Sequence, residues 1–305
     1  MDHSAPHELS VVVPYRLDLT VSALRRLSSN LVDVYTADGR YLRACNDDGI
    51  LTVTCVTQPH DAALAVRVEG GTDPQRALAR VRRMLGTDRQ LDLFYAQAGQ
   101  ISWLAPLAHR LRGIKPPRYP SLWEACVNAI VFQQISLHAA SSIMHRLITT
   151  LGDHTTYEGI PLAVFPELER FLRTPDATLR AAGLSAGKLS TLQRVAHAIG
   201  ADELDEERLQ AESTAGAASI LREIKGIGPW TAAVILLRGL GRLDAFPAND
   251  SGVAANLALV AGTPLNASAI ADALGPQRGM LYFCLLLARL ESRGDIGKPS
   301  DVSLL

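Results

Sequence analysis

The chain has 305 residues, 48% of them hydrophobic and 20% charged, with a formal net charge of −1: long enough for two or three domains and too apolar for a disordered chain. The near-neutral balance excludes a bulk polycation, so any nucleic-acid face must be a local basic patch offset by acid elsewhere, as in the run at 202–207. Cys45, Cys55, Cys126 and Cys284 fit neither a zinc nor an iron–sulfur spacing and suggest no disulfide framework, which points to a reducing cytosol, and neither a signal-peptide pattern nor an apolar run of membrane-spanning length is present.

Residues 1–115 read as α+β. Residues 9–13 are a short β-branched run, a predicted strand, and 22–32 have helical spacing. Residues 41–45 and 50–55 flank Asn46-Asp47-Asp48-Gly49, a hairpin turn. Residues 62–68 predict a further strand and 74–85 a helix, so the region is expected to be one antiparallel sheet with helices on one face. At 113–120 three prolines in five positions stop any helix and suggest a linker, beyond which nearly everything reads as helical. The division expected is therefore 1–115 and 116–305.

Ser121 with Glu124 forms a capping box at the head of the next helix. That helix runs to Phe132 and meets the polar pair Gln133-Gln134, then Ile135, and Ser136 caps its successor toward a stop near Gly152. Residues 161–171 form another stretch. Thr174 then serves as a cap with Pro175 at the first helical position, and Gly183 turns the chain toward Lys188. Further helices are expected at 212–225, 253–260, 268–274 and 280–290, with Gly275-Pro276 between the last two.

The most informative stretch is 219–239. An apolar stripe through Ile220, Leu221 and Ile224 stops at Gly226, the residue type that reaches positive φ without a Cβ penalty. Pro229 suits the first turn of the following helix, where its missing N–H would have no partner anyway. The Gly226-Ile227-Gly228 turn therefore leaves N–H groups bare at a helix N-terminus, a place that attracts phosphate. After the second helix the chain passes Phe246-Pro247 to Asp250.

This constellation resembles the helix-hairpin-helix DNA glycosylases, in which the hairpin is followed by a Gly/Pro-containing loop and an essential aspartate. With the α+β N-terminal region and the 133–136 corner, nearly the whole chain resembles the bacterial 3-methyladenine DNA glycosylase II family. The resemblance implies an N-terminal domain like the TATA-binding protein, followed by an all-α core of two subdomains. It also implies flipping of a damaged nucleotide out of duplex DNA and cleavage of the N-glycosidic bond of an alkylated purine, leaving an abasic site. Asp250 matches the catalytic aspartate, whose carboxylate would stabilise an oxocarbenium-like sugar and orient water; Asn249 is the alternative cap of the next helix. Where lyase relatives carry a nucleophilic Lys, this chain has Trp230, which forms no Schiff base, so a monofunctional enzyme is expected.

Trp230 also matches a residue lining the base pocket. Three further pocket positions match Val234, Ser251 and Gln277, none aromatic where the family's enterobacterial pattern is; the loss is expected to weaken or redirect base choice. Gly226, Ile227, Gly228 and Thr231 would hold DNA phosphate, with Gln133, Ser136 and Lys188 also on the DNA side, and the wedge that fills the vacated duplex is Gln134 or Ile135. The resemblance further implies a structural Na or K ion on the carbonyls of Arg222, Ile224 and Ile227, with no required cofactor and no iron–sulfur cluster. It implies double-stranded damaged DNA as partner, a monomer with neither a membrane nor an obligate protein partner, and a cytoplasmic, nucleoid-associated location. The competing expectations are a non-catalytic damage-binding module and a glycosylase for deaminated purines such as hypoxanthine.

Overall fold

The computed structural model describes residues 5–71, 73–247, 251–263 and 265–301. Among these residues the N-terminal part is built on β1 (His7–Ser10), β2 (Val34–Tyr35), β3 (Tyr41–Asp47), β4 (Ile50–His60) and β5 (Ala63–Glu69), an antiparallel sheet in the order β1-β5-β4-β3-β2. In the β3–β4 hairpin Asp47 pairs with Ile50 across Asp48 and Gly49, whose φ values of 57° and 88° are the two positive values of a type I′ turn. α1 (Leu17–Arg25) and α2 (Pro74–Leu85) close one face. Val21 and Leu24 of α1 and Leu78 and Val81 of α2 pack against Leu9, Val56, Leu64 and Val66. α2 begins on the Asp73 side chain, which accepts from the Gln75 N–H, and ends at Gly86 with φ 58°.

The first helix lies earlier than the 22–32 spacing suggests. Asp18 alone in α1 escapes full burial; Leu19 and Ala23 join the helical core while Val21 and Leu24 join the sheet, so α1 is buried on two sides and its pattern is not that of an amphipathic surface helix. Two short helices, α3 (Asp92–Ala98) and α4 (Ala105–Arg110), follow. The proline segment at 113–120 is not an exposed linker. Ile114, Lys115 and Tyr119 are at most 3% exposed, and the strap is fastened by Arg118 N–H to Met84 O at 3.0 Å and Tyr119 N–H to Arg238 O at 2.7 Å. Proline suits such a strap because it brings no N–H that needs a partner when buried.

The helical part comprises α5 (Leu122–Val131), α6 (Leu137–Leu151), α7 (Leu168–Arg173), α8 (Asp176–Ala181), α9 (Ala186–Gly200), α10 (Glu206–Ala211), α11 (Thr214–Glu223), α12 (Pro229–Ile235), α13 (Ser251–Ala261), α14 (Ala267–Ala273) and α15 (Gly279–Glu291). α12 continues as a π-helical turn at Leu236–Leu240. Ile130, Leu192, Leu236 and Phe283 pack in one core at 1% exposure or less, each side chain contributing about 1.5–3 kcal/mol. One segment departs from the all-helical expectation. β6 (His154–Tyr157) and β7 (Ile160–Ala163) form a hairpin over Glu158-Gly159, φ 48° and 80°. Its Tyr157 and Leu162 cover the second face of the N-terminal sheet against Leu42, Val53 and Cys55.

Sheet and helical core also meet through buried charge. The Arg43 guanidinium donates to Asp33 Oδ1 at 2.7 Å and to Glu124 Oε2 at 2.6 Å, and Tyr41 O–H donates to Asp33 Oδ1 at 2.7 Å. The capping box is thus half made. Ser121 Oγ accepts from Glu124 N–H, but the Glu124 carboxylate turns into the interior. Among the described residues no helix is long and apolar enough to cross a membrane.

Candidate nucleic-acid interface

The hairpin is α11 and α12 with the turn between them. Ser213 caps α11 by accepting from Gly216 N–H. Gly226 has φ 105°, and a Cβ there would stand 1.9 Å from Thr191 Oγ1, so both conformation and close approach require glycine. Gly228 has φ −92°, and nothing lies within 4 Å of a Cβ built on it. Pro229 takes the first helical position.

Two chain segments, the α5–α6 corner and the first turn of α9, are laced together around this turn. α5 ends at Val131, and Gln134 takes φ 55° at the apex of the corner before Ser136 caps α6 by accepting from Ala139 N–H. Gln133 Nε2 donates to Gly226 O at 3.1 Å and to Thr231 Oγ1 at 2.6 Å. From the first turn of α9, Lys188 Nζ donates to Val131 O at 2.6 Å and Gln133 O at 3.0 Å. Those carbonyls close α5, where a cation is favoured, and burial lowers the Lys188 pKa from its ordinary value. Lys188 therefore works first on the protein's own backbone. Thr231 is 2% exposed and braces the turn rather than presenting its hydroxyl outward.

Together these segments form one wall of an open groove. Gln133, Gln134, Ile135, Ser136, Lys188, Gly226, Ile227, Gly228, Trp230 and Thr231 all line it. The opposite side is α13, through Gly252, Val253, Ala255 and Asn256, and α15, through Tyr282, Leu285, Leu286 and Arg289, with Arg293 just beyond its end. Phe132 and Arg26 stand between. Ile135 is 38% exposed, an apolar side chain held out beside Gln134. The described lining carries Arg26, Lys188, Arg289 and Arg293 and no Asp or Glu. On a chain of net charge −1, that concentrates positive potential in one place.

Two expected pocket residues are elsewhere. Val234 is 1% exposed within the helical core, because on α12 it falls on the inward face. Gln277 faces the N-terminal part, accepting from Phe94 N–H at 2.7 Å and donating to Gln90 O at 2.8 Å. Asp250 and Asn249 lie outside the described residues, as does the side chain of Ser251, the residue at which α13 begins. Trp123 packs in the core and donates Nε1 to Pro166 O at 3.0 Å. Arg26, Phe132, Arg289 and Arg293 were not singled out from the sequence. The i, i+4 spacing of Arg289 and Arg293 at the end of α15 is a visible signal; nothing in the sequence distinguishes Arg26 from Arg25.

The hairpin end of α11 also offers neutral oxygen donors. Because the helix stops at Glu223, the Arg222 carbonyl belongs to the last turn, and Ile224 leaves helical geometry with ψ 114° while its carbonyl accepts from Ile227 N–H at 3.0 Å. Carbonyl oxygens of this kind suit a hard monovalent cation.

A helical hairpin with a glycine turn, set in the wall of a cationic groove, defines a helix-hairpin-helix protein. Residues 127–268, a little under half of the chain, match the HhH-GPD superfamily of base excision DNA repair proteins. It is 31% identical over 166 residues to a DNA-3-methyladenine glycosylase of Bacillus subtilis, covering 54% of this chain and 55% of that one. It is 29% identical over 228 residues to a "Probable bifunctional transcriptional activator/DNA repair enzyme AlkA" of Mycobacterium tuberculosis, covering 71% of this chain and 43% of that one. The chain thus spans about half the length of these relatives. The solved 3-methyladenine DNA-glycosylase of Archaeoglobus fulgidus superposes with a TM-score of 0.78 at 25% identity, over 94% of this chain and 99% of that one.

Proposed function

We propose that the protein is a monofunctional DNA glycosylase of base excision repair, which flips a damaged purine from the duplex and hydrolyses its N-glycosidic bond. The observation that carries this reading is the groove lined by four cations, with no carboxylate among the described lining residues and with the hairpin turn and Trp230 in its wall. Phosphates are drawn to the cations and to the N–H groups of Gly226 and Gly228, the Ile227 N–H being bonded to Ile224 O. Gln134 or Ile135 fills the place of the flipped nucleotide, and Trp230 offers a ring to the extruded base. The Asp250 carboxylate stabilises the positive charge that develops on the sugar and orients the attacking water. A Na or K ion on the carbonyls of Arg222, Ile224 and Ile227 would add charge for a DNA phosphate at the hairpin. The chain works as a monomer on double-stranded DNA.

The Bacillus subtilis and Archaeoglobus fulgidus relatives are named for 3-methyladenine, so alkylated purines are the first substrates to try. A second reading, release of deaminated purines, is favoured by the guanidinium of Arg26 at the groove. The test is incubation of alkylated duplex DNA with the wild type and Asp250→Asn, followed by chromatography of the free bases and borohydride trapping of any covalent complex. Release by the wild type, its loss in the variant, retained binding by both and no trapped complex are expected. Binding by both without release of any base would replace this reading with a damage-binding module. A trapped complex would overturn the monofunctional part.

A further inference from the structure

The chain leaves the hairpin through a stretch with neither helix nor strand. The π turn that continues α12 ends at Leu240, and residues 241–247 are irregular. Such backbone has no ladder of its own, so side chains and neighbouring elements must hold it. Arg242 holds its start. The Arg242 N–H donates to Leu236 O at 3.0 Å and closes the π turn. The Arg242 guanidinium reaches back to the beginning of the hairpin. Its Nη1 donates to Thr214 Oγ1 at 3.1 Å, and its Nη2 is shared among Leu209 O at 2.8 Å, Gln210 O at 3.1 Å and Glu212 O at 2.7 Å. Those carbonyls lie at the end of α10, and Thr214 is the first residue of α11. One guanidinium therefore joins the exit of the hairpin's second helix to the entry of its first.

The next residues are fastened to α15. Gly279 N–H donates to Leu243 O at 2.6 Å. A Cβ on Gly279 would stand 2.9 Å from Leu243 O and from Ala245 O, so helix and segment meet backbone to backbone. Leu243 and Phe246 pack against the helical core. A cation is favoured at a helix C-terminus, and capping α10 alone would account for the three carbonyls. It does not account for the bond to Thr214, nor for the place of Arg242 at the head of a segment that α15 grips at the very next residue. The segment is thus tied to both walls of the groove, yet no residue of 241–247 lines the groove itself. In sequence it leads to Asp250, three residues beyond Pro247. A reacting group displaced by about 1 Å loses on the order of a hundredfold in rate, whereas the phosphate-facing turn, corner and arginines do not depend on where that group stands.

We infer that Arg242 is a positioning residue for base release, acting through the segment that leads to Asp250 and not on the DNA. The inference rests on the glycosylase reading and on the role proposed there for Asp250. Two measurements test it on wild type, Arg242→Ala, Arg242→Lys and Gly279→Ala. One is base release under enzyme excess from methylated duplex DNA or, if the wild type releases only that base, from a duplex carrying hypoxanthine. The other is an anisotropy titration of a duplex carrying a tetrahydrofuran abasic analogue. Circular dichroism identifies the folded variants, which are assayed well below their melting temperatures. Arg242→Ala should slow release by roughly tenfold to a hundredfold and leave Kd within about twofold, a loss confined to the chemical step. Arg242→Lys keeps a cation at the end of α10 without the planar fork and should recover part of the rate. Gly279→Ala displaces the same segment from the α15 side and should show the same split between rate and affinity; it carries the test with Arg242→Lys if Arg242→Ala does not fold. A wild-type rate in the folded Arg242 variant, or equal losses of rate and affinity, overturns this inference alone and leaves Arg242 as a helix cap. A wild type that releases no base from either duplex overturns the glycosylase reading and this inference with it.

Discussion

Gln133 Nε2 donates to Thr231 Oγ1 at 2.6 Å and also to Gly226 O at 3.1 Å, so one amide on the α5–α6 corner holds both sides of the hairpin turn. The Thr231 hydroxyl is buried, whereas Gly226 is exposed and its carbonyl can hydrate. Gln133→Ala should therefore cost about 1–2 kcal/mol of stability in chemical denaturation. Its larger effect should be a several-fold loss of duplex affinity in fluorescence anisotropy, because corner and turn no longer share one geometry. Unchanged affinity would show that the two segments keep their register without the amide.

The two hairpin glycines separate a structural requirement from a binding one. Gly226 combines φ 105° with a Cβ position 1.9 Å from Thr191 Oγ1. Gly226→Ala should lose more than about 2 kcal/mol, as expected where strain and a clash combine. Gly228 meets neither condition, so Gly228→Ala should melt close to the wild type. It should nevertheless weaken duplex binding, because its methyl would stand where a phosphate approaches the turn amides. Thermal melting beside a binding titration checks the pair, and equal loss of stability in both variants would contradict it.

Why the hairpin was legible and other parts were not follows from these residues. Gly226 and Pro229 are local signals, since each states its backbone need without reference to distant contacts. Gly228 reads the same way in sequence but has no such need in the structure. The strap at 113–120 was misread because prolines mark exposed linkers and donor-free buried segments equally well. The β6–β7 hairpin carried its own cue in Glu158-Gly159, masked by the helical runs around it. Val234 and Gln277 were assigned to the pocket by correspondence alone, and their burial and partners depend on the packing of α12 and on contacts with Phe94 and Gln90. The end of α1 is held by Arg238 far along the chain, through the Ala23 and Leu24 carbonyls, a tertiary fact with no local signature.

The buried carboxylates predict a pH dependence of stability. Arg43 serves both Asp33 and Glu124. Burial, reinforced by the Asp33 charge and opposed by Arg43, raises the Glu124 pKa to about 7. An acid whose pKa is higher folded than unfolded binds more protons in the folded state between the two values. Its contribution is fully present below the unfolded pKa of about 4.3 and is lost as pH rises through the folded value of about 7. Denaturant midpoints measured from pH 4.5 to 8 should include a component that falls with rising pH. Glu124→Gln, whose amide oxygen can accept from Arg43 without ionising, should flatten that component. An identical profile in the variant would assign the dependence to other groups.

Arg289 in the last turns of α15 and Arg293 just beyond its end stand four residues apart in sequence, and both line the groove. Arg289 is half-buried and Arg293 exposed, so each can reach a phosphate without leaving a buried partner uncompensated. If duplex DNA lies in the groove, each neutralises charge and releases counterions, and the logarithm of affinity falls with the logarithm of salt concentration by about 0.9 per phosphate contacted. Arg289→Ala and Arg293→Ala should each weaken binding at low salt and make that slope shallower by about 1. The double variant should be shallower by about 2, because separate phosphates release counterions independently. Arg173 provides the control. It pairs with Glu169 at 2.7 Å on α7 and is not among the groove residues, so Arg173→Ala should leave the slope as it is. Equal effects of all three substitutions would mean that the duplex responds to overall charge and has no fixed track along α15.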